Sequence, residues 1–514
     1  MLRTLLAAGA ALFCASSVHA QSRLGEIKDP ETRAWWAITE ALSGDDMEGR
    51  DTGAPGYDRA ANLVAQHFAK AGLKPAGDNG TWFQEVALHE VALAKAGTSF
   101  TLVHDGGGEV PLRFLHDISF RPADDTPARL DAPLTFRGYC APDALDGAAG
   151  KIVICFNTRR QGLTTGAQRV RAVQAAGAAG IVQVDDPGFT IEPFRWPQAY
   201  ARSVGFADAK PAGPTLPAMS LSAAAFETLL AGTGRDAKAI LAQGGAKQPL
   251  ESFDIPARLR ATLSVTTRDY RSSNVLALLS GTDPKLGAEH VVLTAHLDGY
   301  GYGEPVGGDS LYNGTLDDAA YVALLVRVAE QRAGKGHRRG VLFAVVTGEE
   351  KGLLGSNWYV KHPTLPLKDA VAVLNLDQLR PLYPLKILTT LAVDDTSLGA
   401  TARKLAAPMG VEVRPDLEPE RGLLSRTDHW PFMQAGVPAI SFIFGFDPGT
   451  EAEARYREWY QTRYHRPQDD IGQPMDFQAA RDFNAFYARL VAKVANAPER
   501  PTWNPASPFK PKAP

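Results

Sequence analysis

Apolar residues fall along this chain in two rhythms. From about residue 260 onward, SNVLALLSG, HVVLTAHLD, GVLFAVVTG, AVAVLNLD and PAISFIFG are continuous apolar runs of strand length. Between several of them lie helical patterns such as DDAAYVALLVRVAEQRA, in which Val322, Leu325, Val326 and Ala329 recur at helical spacing. Continuous apolar strands separated by helices predict an α/β fold with a mostly parallel central sheet covered by helices on both faces. Nearer the start, the polar, glycine-rich LSGDDMEGRDTGAPGYDRAA runs into helical spacing at Ala60, Leu63, Val64 and Phe68, closed by Gly72. Residues 131–250 have another texture. LTFRGYC and GKIVICF predict strands, and QRVRAVQAAGAAGIVQV predicts a helix leading into a strand. Polar clusters are sparse there, and the stretch is expected to be a separate β-rich insert acting as a spacer or lid.

Composition narrows the classes. A chain of 514 residues, 45% of them hydrophobic, has material for several domains and a large core. Its 54 Lys and Arg nearly balance 57 Asp and Glu, leaving a net charge of −3 and no long basic run, so no nucleic-acid partner is expected. MLRTLLAAGAALFCASSVHAQS opens with Arg3, continues through an apolar run and places Val18 and Ala20 at the small-residue positions before a cut. This predicts a signal peptide, residues 1–20, cleaved after Ala20, and a periplasmic or secreted protein. No later stretch has 18 uninterrupted apolar residues, so no membrane span is expected. The mature chain keeps Cys140 and Cys155. An oxidising compartment would allow them to pair, and the sequence leaves open whether their geometry does.

Ligands of parallel sheets bind beyond the carboxyl ends of the strands, and the residues found there are of metal-ligating types. HVVLTAHLD ends in His296 and Asp298, VVTGEE delivers Glu349 and Glu350, and AVLNLD ends in Asp377. Asp317 and Asp318 precede a helix, and His465 lies in the later QTRYHRPQDD. Singly, each reads as a turn or capping residue. Together, they place mutually repelling carboxylates at one sheet edge, where a cation is the natural compensation. Two imidazoles with several carboxylates suit zinc, and the set exceeds what one tetrahedral ion takes. Two ions roughly 3.5 to 4 Å apart, sharing one carboxylate, would use them all. Adjacent glutamates converge on one site only where a strand ends and turns, and Gly348 and Gly352 make that turn cheap.

His296-x-Asp298, Gly314-x-x-Asp317, Glu349-Glu350-x-Gly352, Asn375-x-Asp377 and Tyr464-His465 resemble, in order, the motif series of the co-catalytic di-zinc aminopeptidases. That superfamily also holds glutamate carboxypeptidase, glutaminyl cyclase and the transferrin receptor. The resemblance covers nearly the whole mature chain. It implies an N-terminal part of the peptidase domain at 21–130, a protease-associated insert at 131–250 and the catalytic domain at 251–497; the remaining tail, 498–514, is Pro-rich and is expected from its composition to be extended or disordered. The resemblance further implies two Zn2+ ions, one held by His296 and Asp377, the other by Glu350 and His465, with Asp317 bridging. Glu349 would be the general base and acid, Asp298 would orient His296, and Tyr464 would help stabilise the oxyanion. Asp428 and His429 fall where relatives line the substrate site. Two departures stand out: Asp318 replaces the usual Asn, and Gly299 stands where a bulky residue is common.

The implied activity is zinc-dependent removal of N-terminal residues from peptide substrates. A carboxypeptidase would call for arginines to hold the substrate carboxylate, with Arg421 and Arg426 as candidates. A cyclase would use one zinc without the full bridging set. A non-catalytic receptor of this fold would be expected to have lost ligands, and this chain retains the whole series.

Overall fold

The computed structural model describes residues 21–189, 201–209, 213–377 and 379–511; the expected signal peptide lies outside them. At the centre, strand His290–His296 lies between Gly340–Val346 and Ala370–Asn375, both parallel to it, and Ala439–Phe444 continues the parallel set. Antiparallel strands flank this centre. Val265–Leu279, Phe83–Leu93 and Arg202–Phe206 follow one another on one side, and Ile387–Leu391 is added on the other. Successive strand residues point to opposite faces, and the core shows it. Val291, Leu293, Val341 and Phe343 pack on one side, with residues of helices Pro30–Leu42, Pro55–Lys70, Ala320–Gln331 and Phe477–Ala495. Val292, Leu342 and Ala344 pack on the other, with Tyr359 of Leu354–Lys361 and Phe432 of His429–Gln434. Continuous apolar runs are thus what a sheet covered on both faces requires.

A second, eight-stranded sheet has its own core of residues such as Phe100, Phe136, Ile154 and Phe226. Its strands come from within 131–250 and also from outside it, as Ser99–His104, Ile118–Arg121 and Ser252–Thr262. Cys140 and Cys155 are joined by a disulfide in this layer.

Strand Arg202–Phe206 departs from the picture of a detached spacer. It belongs by sequence to the insert but pairs with Phe83–Leu93 at the edge of the first sheet. Arg202 there reaches Asp51 with both Nη atoms, at 2.8 and 3.0 Å. The Pro-rich tail is docked through its described residues. Ser397 donates to the carbonyl of Thr502, Trp503 donates to the carbonyl of Gly436, and Phe509 meets Trp430 edge-on. No helix among the described residues is long and apolar enough to cross a membrane.

Candidate metal centre

The central strands run one way, so their carboxyl ends share one edge. His296 is the last residue of its strand and Asp298 follows two residues later. Glu349 and Glu350 follow Gly340–Val346, and Asp377 follows Ala370–Asn375. The glutamate pair sits in a turn closed by hydrogen bonds from Gly352 and Leu353 to the carbonyl of Glu349, and from Leu354 to that of Gly348. Gly348 occupies the left-handed region at φ 64°, which glycine adopts without steric cost. Asp317 and Asp318 lie in Thr315–Ala319, just before helix Ala320–Gln331.

Potential ligand atoms fall into groups with all members within 4.8 Å of one another: His296, Asp317 and Asp377 form one, and Asp317, Glu350 and His465 another. Asp317 belongs to both. Its Oδ1 is 3.4 Å from Nε2 of His296, and its Oδ2 is 3.4 Å from Nε2 of His465. His465 is also 3.4 Å from Oε2 of Glu350, and Oε2 of Glu349 is 4.0 Å from His296. Nε2 of His296 and Oε1 of Glu350 are buried without a hydrogen bond. Burial pushes Glu350 up to about 7 and Asp377 up to about 6. Glu349 is pushed well above the usual carboxylate range, first by burial and then by the charges of Asp377, Glu350 and Asp428. A buried set of imidazole and carboxylate donors with unsatisfied atoms fits zinc.

Supporting contacts come from far along the chain. Nδ1 of His296 meets the carbonyl of Asp298 at 3.0 Å. That carbonyl can only accept, so Nδ1 donates, and Nε2 is the ring atom turned to the cluster. The carboxylate of Asp298, 3.8 Å from Nδ1, accepts from the backbone N–H groups of Glu349 and Glu350 at 3.0 and 3.4 Å and from Thr52 Oγ1 at 3.1 Å. It holds the glutamate turn in place at least as directly as it orients the imidazole. Asp318 is fully buried, and its Oδ2 accepts from the backbone of His296 at 3.2 Å, an acceptor role that an Asn oxygen would equally fill. Tyr464 stacks on His465, ring centroids 3.5 Å apart, and His465 itself sits at φ 52°. A left-handed backbone costs a non-glycine residue about 1–2 kcal/mol, and the aromatic stack helps to hold it. Asp428 accepts from Ser356 Oγ at 2.5 Å and is pushed up to about 7 by burial. His429 is fully buried with Nδ1 2.6 Å from Thr427 Oγ1, and burial pushes its ring down to about 3.

Three supporting residues escaped the sequence reading. The Tyr300 hydroxyl donates to Oε2 of Glu350 at 2.5 Å. It supplies the bulk missing at Gly299, where a Cβ would stand 2.8 Å from the carbonyl oxygen of Gly49. Arg380 is fully buried, donates to the carbonyls of Leu316, Asp377 and Leu379, and lies 3.5 Å from Asp317. Asp469 accepts from the backbone N–H groups of Leu316 and Asp317, at 2.9 and 3.0 Å, tying the His465 loop to the shared carboxylate. The spacing of RPQDD was on view, but nothing in it distinguishes Asp469 from Asp470. Arg421, a candidate for holding a substrate carboxylate, instead donates to the Tyr456 hydroxyl and lies over the ring of Tyr460.

Residues 274–491 match Peptidase family M28, and residues 127–229 match the PA domain. Over residues 274–491 the chain is thus similar to Peptidase family M28. Among solved M28-like folds, an aminopeptidase from Aneurinibacillus sp. strain AM-1 superposes with a TM-score of 0.62 at 16% identity, over 93% of this chain and 96% of its own. BSAP, a zinc aminopeptidase from Bacillus subtilis, does so with a TM-score of 0.57 at 18% identity, over 91% and 96%. At these identities the likeness establishes the fold. In sequence, aminopeptidase YwaD of Bacillus subtilis is 27% identical over 185 residues, 35% of this chain. The chain spans 17%, 36% and 54% of the lengths of three curated relatives it matches. The M28 segment contains every residue of the cluster, and the PA segment contains none.

Proposed function

We propose that this protein is a secreted or periplasmic zinc aminopeptidase that hydrolyses the first peptide bond of peptides. The observation that carries the reading is the pair of ligand groups sharing Asp317, with Glu349 beside them. In this reading His296 and Asp377 would hold one Zn2+ and Glu350 and His465 the other, with Asp317 within reach of both positions. Zinc at these positions supplies Lewis-acid stabilisation of developing negative charge and acidifies water at neutral pH.

The chain's own residues do the rest. Glu349 takes the proton from the attacking water and returns it to the departing amine. Its carboxylate lies 4.0 Å from His296, beside both ligand groups, where a positioned acid–base group has to stand. Asp298 fixes the backbone of the Glu349–Glu350 turn, so the carboxylate meets the reacting bond in a set geometry. Tyr464, carried by its stack on His465, donates to the oxyanion. Asp428 is near enough to Glu349 for its charge to raise that carboxyl, and His429 lies buried beside it in the chain. The disulfide in the PA layer favours an oxidising compartment, in keeping with the signal peptide expected from the sequence.

A free aminoacyl reporter and its N-acetylated form, assayed with two equivalents of zinc, test the reading. Cleavage confined to the free amine supports it. Preference for N-blocked peptides with a free carboxylate would instead indicate a carboxypeptidase, and hydrolysis of neither by the zinc-loaded protein would leave a non-catalytic role.

A further inference from the structure

A cavity of about 410 Å³ opens between the two sheets at the glutamate turn, within the range of about 300–1,000 Å³ typical of ligand sites. Its floor is Glu350, Lys351 and Gly352, and one wall is Arg202, Ser203 and Val204 of the edge strand. The facing wall is a row built by strand register. Ser119 pairs with Ser220, and Ser220 pairs with Gln183, across three neighbouring strands of the second sheet. Arg121 lies two residues beyond Ser119, hence on the same face. The alternate residues Ile118, Phe120, Leu221 and Val182 enter that sheet's core. The polar row therefore faces the metal centre across the gap.

The charges in this gap are unbalanced. Arg202 and Lys351 both meet Asp51, Lys351 at 3.2 Å. Glu90, which Arg202 also approaches at 3.3 Å, is gripped by Arg268 at 2.9 and 3.2 Å. Three cations thus stand against two carboxylates before Arg121 is counted, and Arg121 is exposed and makes no ion pair among the described residues. Glu350 is the only carboxylate among the described lining residues, and the functional reading assigns it to a metal. Ser203 Oγ is buried there without a hydrogen bond.

We propose that this cavity is a carboxylate subsite in which Arg121, with the Ser119, Ser220 and Gln183 row, receives a carboxylate of a short peptide lying at the metal centre. The proposal rests on the peptidase reading and deepens it: the substrates are short peptides carrying a carboxylate close to the bond that is cut. Two sources have this chemistry, the free C-terminus of a dipeptide or tripeptide and an acidic side chain next to that bond. Arg121 offers a planar fork matched to either. Its role is to position substrate, and it moves no proton.

The test compares Leu-Gly as the free acid with Leu-glycinamide and with Leu-glutamamide, an amide bearing a side-chain carboxylate, on the zinc-loaded full chain. Wild type should favour Leu-Gly over Leu-glycinamide by about tenfold or more in kcat/KM, mainly through KM, as hydrogen bonds to a charged group supply. Arg121→Gln should collapse that ratio towards unity, and Arg121→Lys should restore part of it. A preference shared by Leu-glutamamide identifies the side-chain source; its absence there identifies the C-terminus. Equal kcat/KM for Leu-Gly, Leu-glycinamide and Leu-glutamamide in wild type, or a preference for the acid substrates unmoved in Arg121→Gln, overturns the subsite while leaving the peptidase reading intact. If nothing is hydrolysed, the peptidase reading fails, and calorimetry with the reduced-bond Leu-Gly analogue, as acid and as amide, decides the subsite. Tighter binding of the acid that Arg121→Gln removes upholds it, and equal binding overturns it.

Discussion

The phenol of Tyr300 donates to Oε2 of Glu350 at 2.5 Å, and its ring centroid lies 4.5 Å from that of His465. One side chain thus touches both residues assigned to the second metal position, and its hydrogen bond fixes which oxygen of Glu350 remains open. Tyr300→Phe should weaken zinc at that position by about 10- to 100-fold, the usual effect of removing an outer partner of a ligand, with the other position little changed. Competition with a chromophoric chelator reads the two affinities; two unaltered affinities would show that the hydroxyl does not tune the ligand.

The two adjacent glutamates are expected to respond differently to the same change. Glu349→Gln should retain both metals and lose about 10²- to 10⁴-fold in kcat, because an amide accepts no proton. Glu350→Gln should lose affinity for one metal and recover partly in excess zinc. Metal analysis beside steady-state kinetics separates the roles, and an exchange of the two phenotypes would reverse them.

Removing metal should abolish hydrolysis, and zinc should restore it. The same removal should lower thermal stability, since an ion that binds the folded chain stabilises it by mass action. A melting temperature and an activity both indifferent to chelator would argue against a resident metal.

Arg380→Met should destabilise the metal-free protein by about 3–5 kcal/mol, because a fully buried cation is withdrawn from Asp317 and its neighbours. Zinc should reduce that cost by compensating the same carboxylates. Urea unfolding in chelator and in zinc measures the difference; an equal cost in both would mean that Arg380 acts chiefly through its carbonyl hydrogen bonds.

His429 provides a pH signature. Its folded pKa is depressed by burial from the ordinary 6.5 to about 3, so below 6.5 the unfolded chain binds a proton that the folded protein refuses. Stability is therefore full above about pH 6.5 and declines as pH falls toward 3, with a slope of about 1.4 kcal/mol per pH unit for one proton. His429→Gln should flatten the wild-type slope by that amount between pH 6 and 4. Parallel slopes would place the titration elsewhere.

The parallel centre and the turn at Glu349 were legible because they are local: unbroken apolar runs and paired glycines announce themselves within a dozen residues. The clustering of His296, Asp317, Glu350, Asp377 and His465 was legible through the rule that ligands gather at strand ends, together with the motif resemblance. Tyr300, Arg380 and Asp469 were not, because their work depends on partners brought near by folding. Arg380 looks like any arginine after a strand until its guanidinium is seen among the carbonyls of Leu316, Asp377 and Leu379. Strand Arg202–Phe206 was hidden for a similar reason, since RSVGF carries no sign of which sheet will accept it.

That strand alters what the word insert means for this molecule. Residues 131–250 are not a cassette that can be cut out or exchanged at two scars, because a span within them supplies an edge of the other sheet and the Arg202 grip on Asp51. A chimera carrying a foreign PA domain would have to keep Arg202–Phe206 as host sequence, joining the donor on either side of it. Recombination that respected only the outer limits would uncover the hydrogen-bonding edge of Phe83–Leu93 and leave an unpaired strand open to association with other chains.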